Sequence, residues 1–190
     1  MAPEGLPPPS LLRRFHETLE APIDPAGLAA FRVLFGVLVA AGSARFLASG
    51  FIHKLYQEDA FYFRYAGLEW IPVPAPSTVE LLYVLCVPLG VFIAAGLFFR
   101  AALLAFLVLF AWVQLIDVTN YLNHYYLVLL LGSLLLLSPA HACFSLDARY
   151  FGAQRDRVPF FFLALLRFQV ACVYVFAAIA KVGTDWLLAG

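Results

Sequence analysis

Charge is what this chain has least of. Charged residues occupy 13% of the 190 positions, where a soluble domain of this size carries roughly 25%. Acids and bases cancel at twelve each, for a net charge of zero. That balance removes the electrostatic basis for binding nucleic acid or a strongly acidic partner. Cysteine is scarce as well: Cys86, Cys143 and Cys172 show neither CxxC nor metal-ligand spacing, which argues against a disulfide framework and a structural metal. Only two lysines occur, Lys54 and Lys181. The start holds Pro3, Pro7, Pro8 and Pro9 ahead of any apolar run, unlike the h-region of a signal peptide. There is no internal repeat.

What remains is apolar. Hydrophobic residues make up 64% of the chain and its mean hydropathy is +0.89, the composition of an integral membrane protein. The expected fold is all-α, a multi-pass membrane helix bundle of about five transmembrane helices preceded by a short amphipathic helix. The five runs are Ala26–Leu47, Thr78–Phe99, Arg100–Ile116, Tyr121–Leu137 and Pro159–Lys181, each near the roughly 20 residues a bilayer requires. Asp24-Pro25 reads as an N-cap and N1 pair for the first. Arg100 reads as a tight link between the second and third. Residues 10–20 place Leu11, Leu12, Phe15 and Leu19 on one helical face, as in a helix lying on a membrane surface. Two segments follow: 1–22, Pro-rich and interfacial, and 23–190, the transmembrane domain.

Basic residues near the run ends set the orientation. With the N-terminus in the cytoplasm, Arg13, Arg14, Arg100, Arg149, Arg155 and Arg157 lie inside, against Arg45, Lys54, Arg64 and Lys181 outside. Alternation of five spans then puts Asn120, Asn123, His124 and Lys181 toward one compartment, non-cytoplasmic on this reading. The link 48–77 lies on the same side with His53, Glu58, Asp59, Tyr62, Arg64, Tyr65, Glu69 and Trp70.

Ionisable groups within spans need a partner or a function. Arg32 and Arg167 read as structural intramembrane residues, snorkelling or bonded to backbone carbonyls. Arg167, Tyr174 and Lys181 recur every seven residues on one helical face, beside Ala171, Ala177 and Ala178, a face expected to look into the bundle. Fourteen residues at 1.5 Å rise separate Arg167 from Lys181 by about 21 Å, so the two cannot share a site. Asn120, Asn123, His124 and Leu127 share a face at the start of the fourth run, with Asp117 as a partner for the histidine. Lys181 itself has two readings. One is an interfacial anchor beside Trp186. The other is a base, because an apolar pocket disfavours the ammonium ion and leaves an amine able to take a proton. No Asp or Glu lies in the interior of a run, which argues against a proton or ion path.

The order of motifs Asp24-Pro25-x-x-Leu28-x-x-Phe31-Arg32-x-Leu34-x-Gly36, Asn123-His124-x-Tyr126-Leu127 and Leu166-Arg167-x-Gln169, then Tyr174, Ala177, Lys181 and Asp185-Trp186, resembles the HTTM (horizontally transferred transmembrane) domain family. It is similar to the N-terminal membrane part of the vitamin K-dependent gamma-glutamyl carboxylases. The likeness runs from about Ile23 to Trp186. It implies quinol epoxidation coupled to glutamyl carboxylation. Reduced vitamin K or a related quinol would serve as cofactor, without a metal, and a glutamate-containing protein or peptide as substrate. On this likeness Lys181 aligns with the catalytic base and His124 with a histidine that handles the glutamyl group; Asn123 is its neighbour. Asn123, Asn120 and Tyr174 are the expected substrate-binding residues. The likeness also implies a domain truncated at its C-terminal end, since full-length relatives continue past this point. The alternative is a non-catalytic membrane domain that binds a lipid, a quinone or a protein partner.

Overall fold

The structure is a computed structural model that describes residues 10–56 and 61–182. Glu58, Asp59, Asp185 and Trp186, singled out above, lie outside the described residues. The elements in chain order are α1 (Leu11–Glu20), β1 (Pro22–Ile23), α2 (Ala26–Ala48), α3 (Phe51–Leu55), α4 (Pro76–Ala95), α5 (Phe99–Gln114), a 3-10 turn (Val118–Asn120), α6 (Asn123–Leu137), α7 (Leu146–Tyr150), β2 (Val158–Pro159) and α8 (Phe160–Ala180). The expected all-α architecture is confirmed. Helices α2, α4 and α8, of 23, 20 and 21 residues, are long and apolar enough to cross a bilayer; α5 and α6 are shorter apolar helices. The chain divides into two compact units, residues 25–156 and residues 1–24 with 157–190.

In the larger unit, α2 packs most extensively on α4, α4 on α5, and α5 on α6. The α2–α4 contact rests on small residues four apart in both helices: Gly36 with Ala40, and Gly90 with Ala94. A methyl group built on Gly36 would lie 2.4 Å from the Ala94 nitrogen, and one on Gly90 would lie 2.6 Å from the Ala40 nitrogen. The two backbones therefore touch, and in an apolar medium such close approach supplies the packing attraction that water supplies to soluble proteins. Toward one end of the unit, Ile52, Tyr56, Val79, Leu82, Tyr83, Val113 and Ile116 join α3, α4 and α5 in a buried cluster.

The sequence expectation carried the second span to Phe99, but α4 stops at Ala95. Gly96 adopts a left-handed backbone (φ +64) and Leu97 donates back to the Phe92 carbonyl at 2.9 Å, closing the helix. Phe98 is left-handed too, at φ +45, a costly conformation for a residue with a Cβ. The Asp147 carboxylate holds it there, accepting from the Phe98 and Phe99 N–H groups at 2.8 and 2.9 Å. The link is thus 96–98 rather than Arg100. Asp147 also donates its own N–H to the Gly96 carbonyl at 2.9 Å.

Arg32 reaches this turn from α2. It is fully buried, and its guanidinium donates from Nη1 to the Ala140 carbonyl at 3.3 Å and from Nη2 to the Phe144 carbonyl at 2.6 Å. A Cβ on Gly96 would sit 2.3 Å from Nη1, so glycine there serves both the backbone reversal and the passage of the arginine. Ser145 caps α7 by accepting from the Ala148 N–H at 2.9 Å and donates to the His141 carbonyl at 2.6 Å. His141 stacks on Phe99, with ring centroids 5.4 Å apart. The start of α2 also departs from expectation: Pro25, not Asp24, occupies the N-cap position and provides no side-chain cap.

In the smaller unit, Ser10 caps α1 through the Arg13 N–H, and Arg13 pairs with Glu17 at 2.9 Å. Leu11, Leu12 and Phe15 are exposed on this helix. β1 and β2 pair antiparallel, Pro22 with Pro159 and Ile23 with Val158. Phe160, the first residue of α8, donates to the Ala21 carbonyl at 2.9 Å, and α1 packs against α8.

Candidate functional site

A cavity of about 510 Å³ lies within the larger unit. Phe31, Phe35 and Leu38 of α2, Phe106 and Phe110 of α5, and Leu127, Val128 and Leu131 of α6 form its walls. Its polar groups are few: Ser43 and Arg45 near the end of α2, Tyr83 of α4, and His124 and Tyr125 at the start of α6. Apolar walls with a few placed polar groups are the usual make-up of a small-molecule site. The rings order one another. His124 lies edge-on to Tyr125 at 4.4 Å, and Tyr125 to Phe110 at 5.6 Å. Phe46 stacks on Tyr83 at 4.4 Å.

Of the residues singled out in the sequence, His124 lines this cavity. Asn123 is the first residue of α6 and is exposed. Asn120 does not share their helical face. It sits in the 3-10 turn, and the extended backbone of Tyr121 and Leu122 separates that turn from α6. Burial first, and Asp117 second, raise the Tyr56 pKa well above the ordinary tyrosine value, with Asn120 opposing; the group is a neutral phenol. Asp117 is not placed as the partner of His124. Its Oδ1 caps the 3-10 turn, accepting from the Thr119 N–H and hydroxyl, both at 2.9 Å.

Lys181, Tyr174 and Arg167 belong to the smaller unit. Lys181 ends α8, its N–H bonded to the Ala178 carbonyl at 3.0 Å. All three side chains are exposed, so neither α1 nor the two-residue strands cover the face they share. Sequence reasoning missed Arg45, Ser43 and Tyr83 as cavity residues. Arg45 read only as an end-of-span charge, and which helices face the cavity is a matter of tertiary packing.

Outside the spans, Glu69 holds a turn. It accepts from the Gly67 N–H at 3.0 Å, and hydrogen bonds from its own and the Gly67 backbone lower its pKa below the ordinary carboxylate value. Arg64 donates to the Ile71 carbonyl in the same segment. At the other end of the unit, burial lowers the His141 pKa, reinforced by Arg100, Arg155 and Arg32 and opposed by Asp147.

Fold and composition together define an integral membrane protein, an apolar helix bundle with a cavity inside its larger unit. A family model, the HTTM domain, matches residues 20–190. The chain belongs to the HTTM domain family, as its motifs suggested. No solved structure matches it.

Proposed function

We propose that the chain is a carboxylase-like membrane domain in which the cavity of the larger unit binds a lipid-soluble quinol; the likeness to the family makes Lys181 the base of the reaction. The observation that carries this reading is the cavity: aromatic and aliphatic walls suited to a fused-ring head and an isoprenoid tail, with His124, Tyr125, Arg45, Tyr83 and Ser43 as its hydrogen-bonding groups. The quinol supplies the reducing power that oxygen consumes, and its oxidation yields the strong base that carboxylation of a glutamyl γ-carbon requires. The residues divide the rest of the work. Lys181 takes the proton that makes the quinol reactive. His124 and Asn123 orient the glutamyl group, with Asn120 and Tyr174 as further contacts. The apolar walls exclude the water that would quench a strong base. Arg32 and Arg167 act structurally, and the site needs no metal. The catalytic groups face the non-cytoplasmic side, with the N-terminus cytoplasmic.

Two measurements test the reading. Purified chain in lipid nanodiscs is given vitamin K hydroquinone and oxygen, and epoxide is quantified by chromatography. Lys181→Ala is expected to lower turnover by at least about 100-fold, the lower range for loss of a general base; unchanged turnover would refute its role. Gly42 lines the cavity, and a Cβ there meets nothing within 4 Å. Gly42→Phe is therefore expected to fill the space and abolish retention of radiolabelled quinone while α-helical circular dichroism persists. Retention unaffected by Gly42→Phe would remove the cavity as the quinol site. Retention without turnover would favour the non-catalytic reading, a membrane domain that holds a lipid, a quinone or a protein partner.

A further inference from the structure

The end of the larger unit where α4 stops, α5 starts and α6 stops carries a feature the quinol reading does not use. Arg100, Arg149 and Arg155 are all exposed there, and the salt bridges among the described residues are Arg13–Glu17 and His16–Glu20, so none of the three arginines is in one. The nearby acids are two. Asp147 has both oxygens engaged by the Phe98 and Phe99 N–H groups, and Asp156 is exposed. With buried Arg32, four positive groups stand against two negative ones.

The same end has an open pocket of about 280 Å³ bordered by Phe98, Arg100, His141, Asp147 and Phe151. The Arg155 N–H donates to the Ala142 carbonyl at 3.0 Å, which ties the 153–155 segment to the loop that carries His141. Arg100 borders this pocket from α5, and Arg155 lies two residues beyond Ala153, which also borders it, so the two charges reach the pocket from two segments. Around it, Phe98, Phe144, Tyr150 and Phe151 are between 58% and 80% exposed, and Arg149 stacks on Tyr150 at 5.5 Å. Phe98 stands where the apolar helices α4 and α5 meet, Phe144 lies in the loop after α6, and Tyr150 and Phe151 end α7. Aromatic side chains at that level prefer the boundary between hydrocarbon and headgroups, and unpaired arginines beside them attract anionic lipid.

We propose that this pocket is a headgroup site for an anionic phospholipid, with Arg100 and Arg155 taking the phosphate and Phe98 and Phe151 lying against the glycerol and upper acyl chains. Arginine suits the role because its planar guanidinium donates in pairs to phosphate oxygens. The site is independent of the quinol cavity and of Lys181.

The test uses the full chain purified in neutral detergent and equilibrated with equimolar phosphatidylglycerol and phosphatidylcholine. Lipid retained per protein is read by extraction and native mass spectrometry. The wild-type chain is expected to enrich phosphatidylglycerol, and Arg100→Gln with Arg155→Gln to reduce that enrichment about tenfold. Arg100→Lys with Arg155→Lys is expected to retain part of it, since charge persists without the fork. Should the glutamine pair fail to fold, the lysine pair and a salt titration of wild-type enrichment carry the test. Equal retention of both lipids by the wild-type chain, or full enrichment in a folded glutamine pair, would overturn the proposal. Displacement of phosphatidylglycerol by an equal concentration of inorganic phosphate would overturn the lipid assignment in favour of a phosphate site.

Discussion

The contact between α2 and α4 makes a sharp prediction, because one substitution at two glycines of the same helix should have opposite effects. A Cβ at Gly36 would lie 2.4, 2.6 and 2.8 Å from backbone atoms of Ala94 and Gly90, where ordinary contact begins at 3.4 Å. Backbone cannot rotate away as a side chain can, so α4 must retreat by about 1 Å. A gap of that size removes a large part of the dispersion attraction along the contact, and overpacking of this kind costs about 1–3 kcal/mol. Against it stands up to about 1 kcal/mol gained when alanine replaces glycine within a helix. At Gly42 the same methyl meets nothing within 4 Å, so only the gain applies. The helical term cancels between the two variants, and Gly36→Ala should be less stable than Gly42→Ala by about 1–3 kcal/mol. Equilibrium unfolding in mixed micelles, followed by far-UV circular dichroism, measures this difference. Gly90→Ala should match Gly36→Ala, and the double variant should cost less than the sum, since both methyl groups demand the same separation. Equal stability of Gly36→Ala and Gly42→Ala would refute the idea that backbone contact holds these helices together.

Other outcomes follow from the polar end of the larger unit. Arg32→Met removes two hydrogen bonds from a buried cation and leaves the Ala140 and Phe144 carbonyls without them, a loss of about 2–4 kcal/mol in the same assay. Arg32→Lys should recover little of it, because one ammonium does not reproduce the fork. His141 makes this end sensitive to acid. Its folded pKa is lowered from the ordinary 6.5, so its contribution is fully present above pH 6.5 and is lost as pH falls through the lower folded value. The unfolding temperature should therefore drop on acidification below pH 6.5, and His141→Gln should remove part of that drop.

Much of the helix layout was legible because long apolar runs in a low-charge chain leave few alternatives. The runs beginning at Ala26 and Pro159 match α2 and α8 within a residue or two at each end. Helix ends were less legible where they depend on distant residues. Nothing around Phe98 announces a left-handed turn, and the carboxylate that holds it is Asp147, 49 positions away. Arg32 was recognisable as a span residue seeking carbonyls, but those carbonyls lie more than 100 positions on. His124 was singled out at a span start and through the family likeness, and it lines the cavity. Arg45 was not, because a terminal arginine looks the same in sequence whether it faces a cavity or solvent. Asn120 was misassigned to a helical face because the i, i+3, i+4 pattern runs through a segment whose backbone is extended at Tyr121 and Leu122.

The pairing of β1 with β2 bears on the order in which the chain is assembled. The larger unit is one continuous stretch, residues 25–156, and can form as it leaves the ribosome. The smaller unit is split, and its two pieces meet through Ile23 and Val158 and through the Phe160 bond to Ala21. Helix α1 is synthesised before α8 and must wait for about 140 further residues before that partner exists. During that interval α1 has no α8 to pack against, so a helix made before the larger unit is completed only after it.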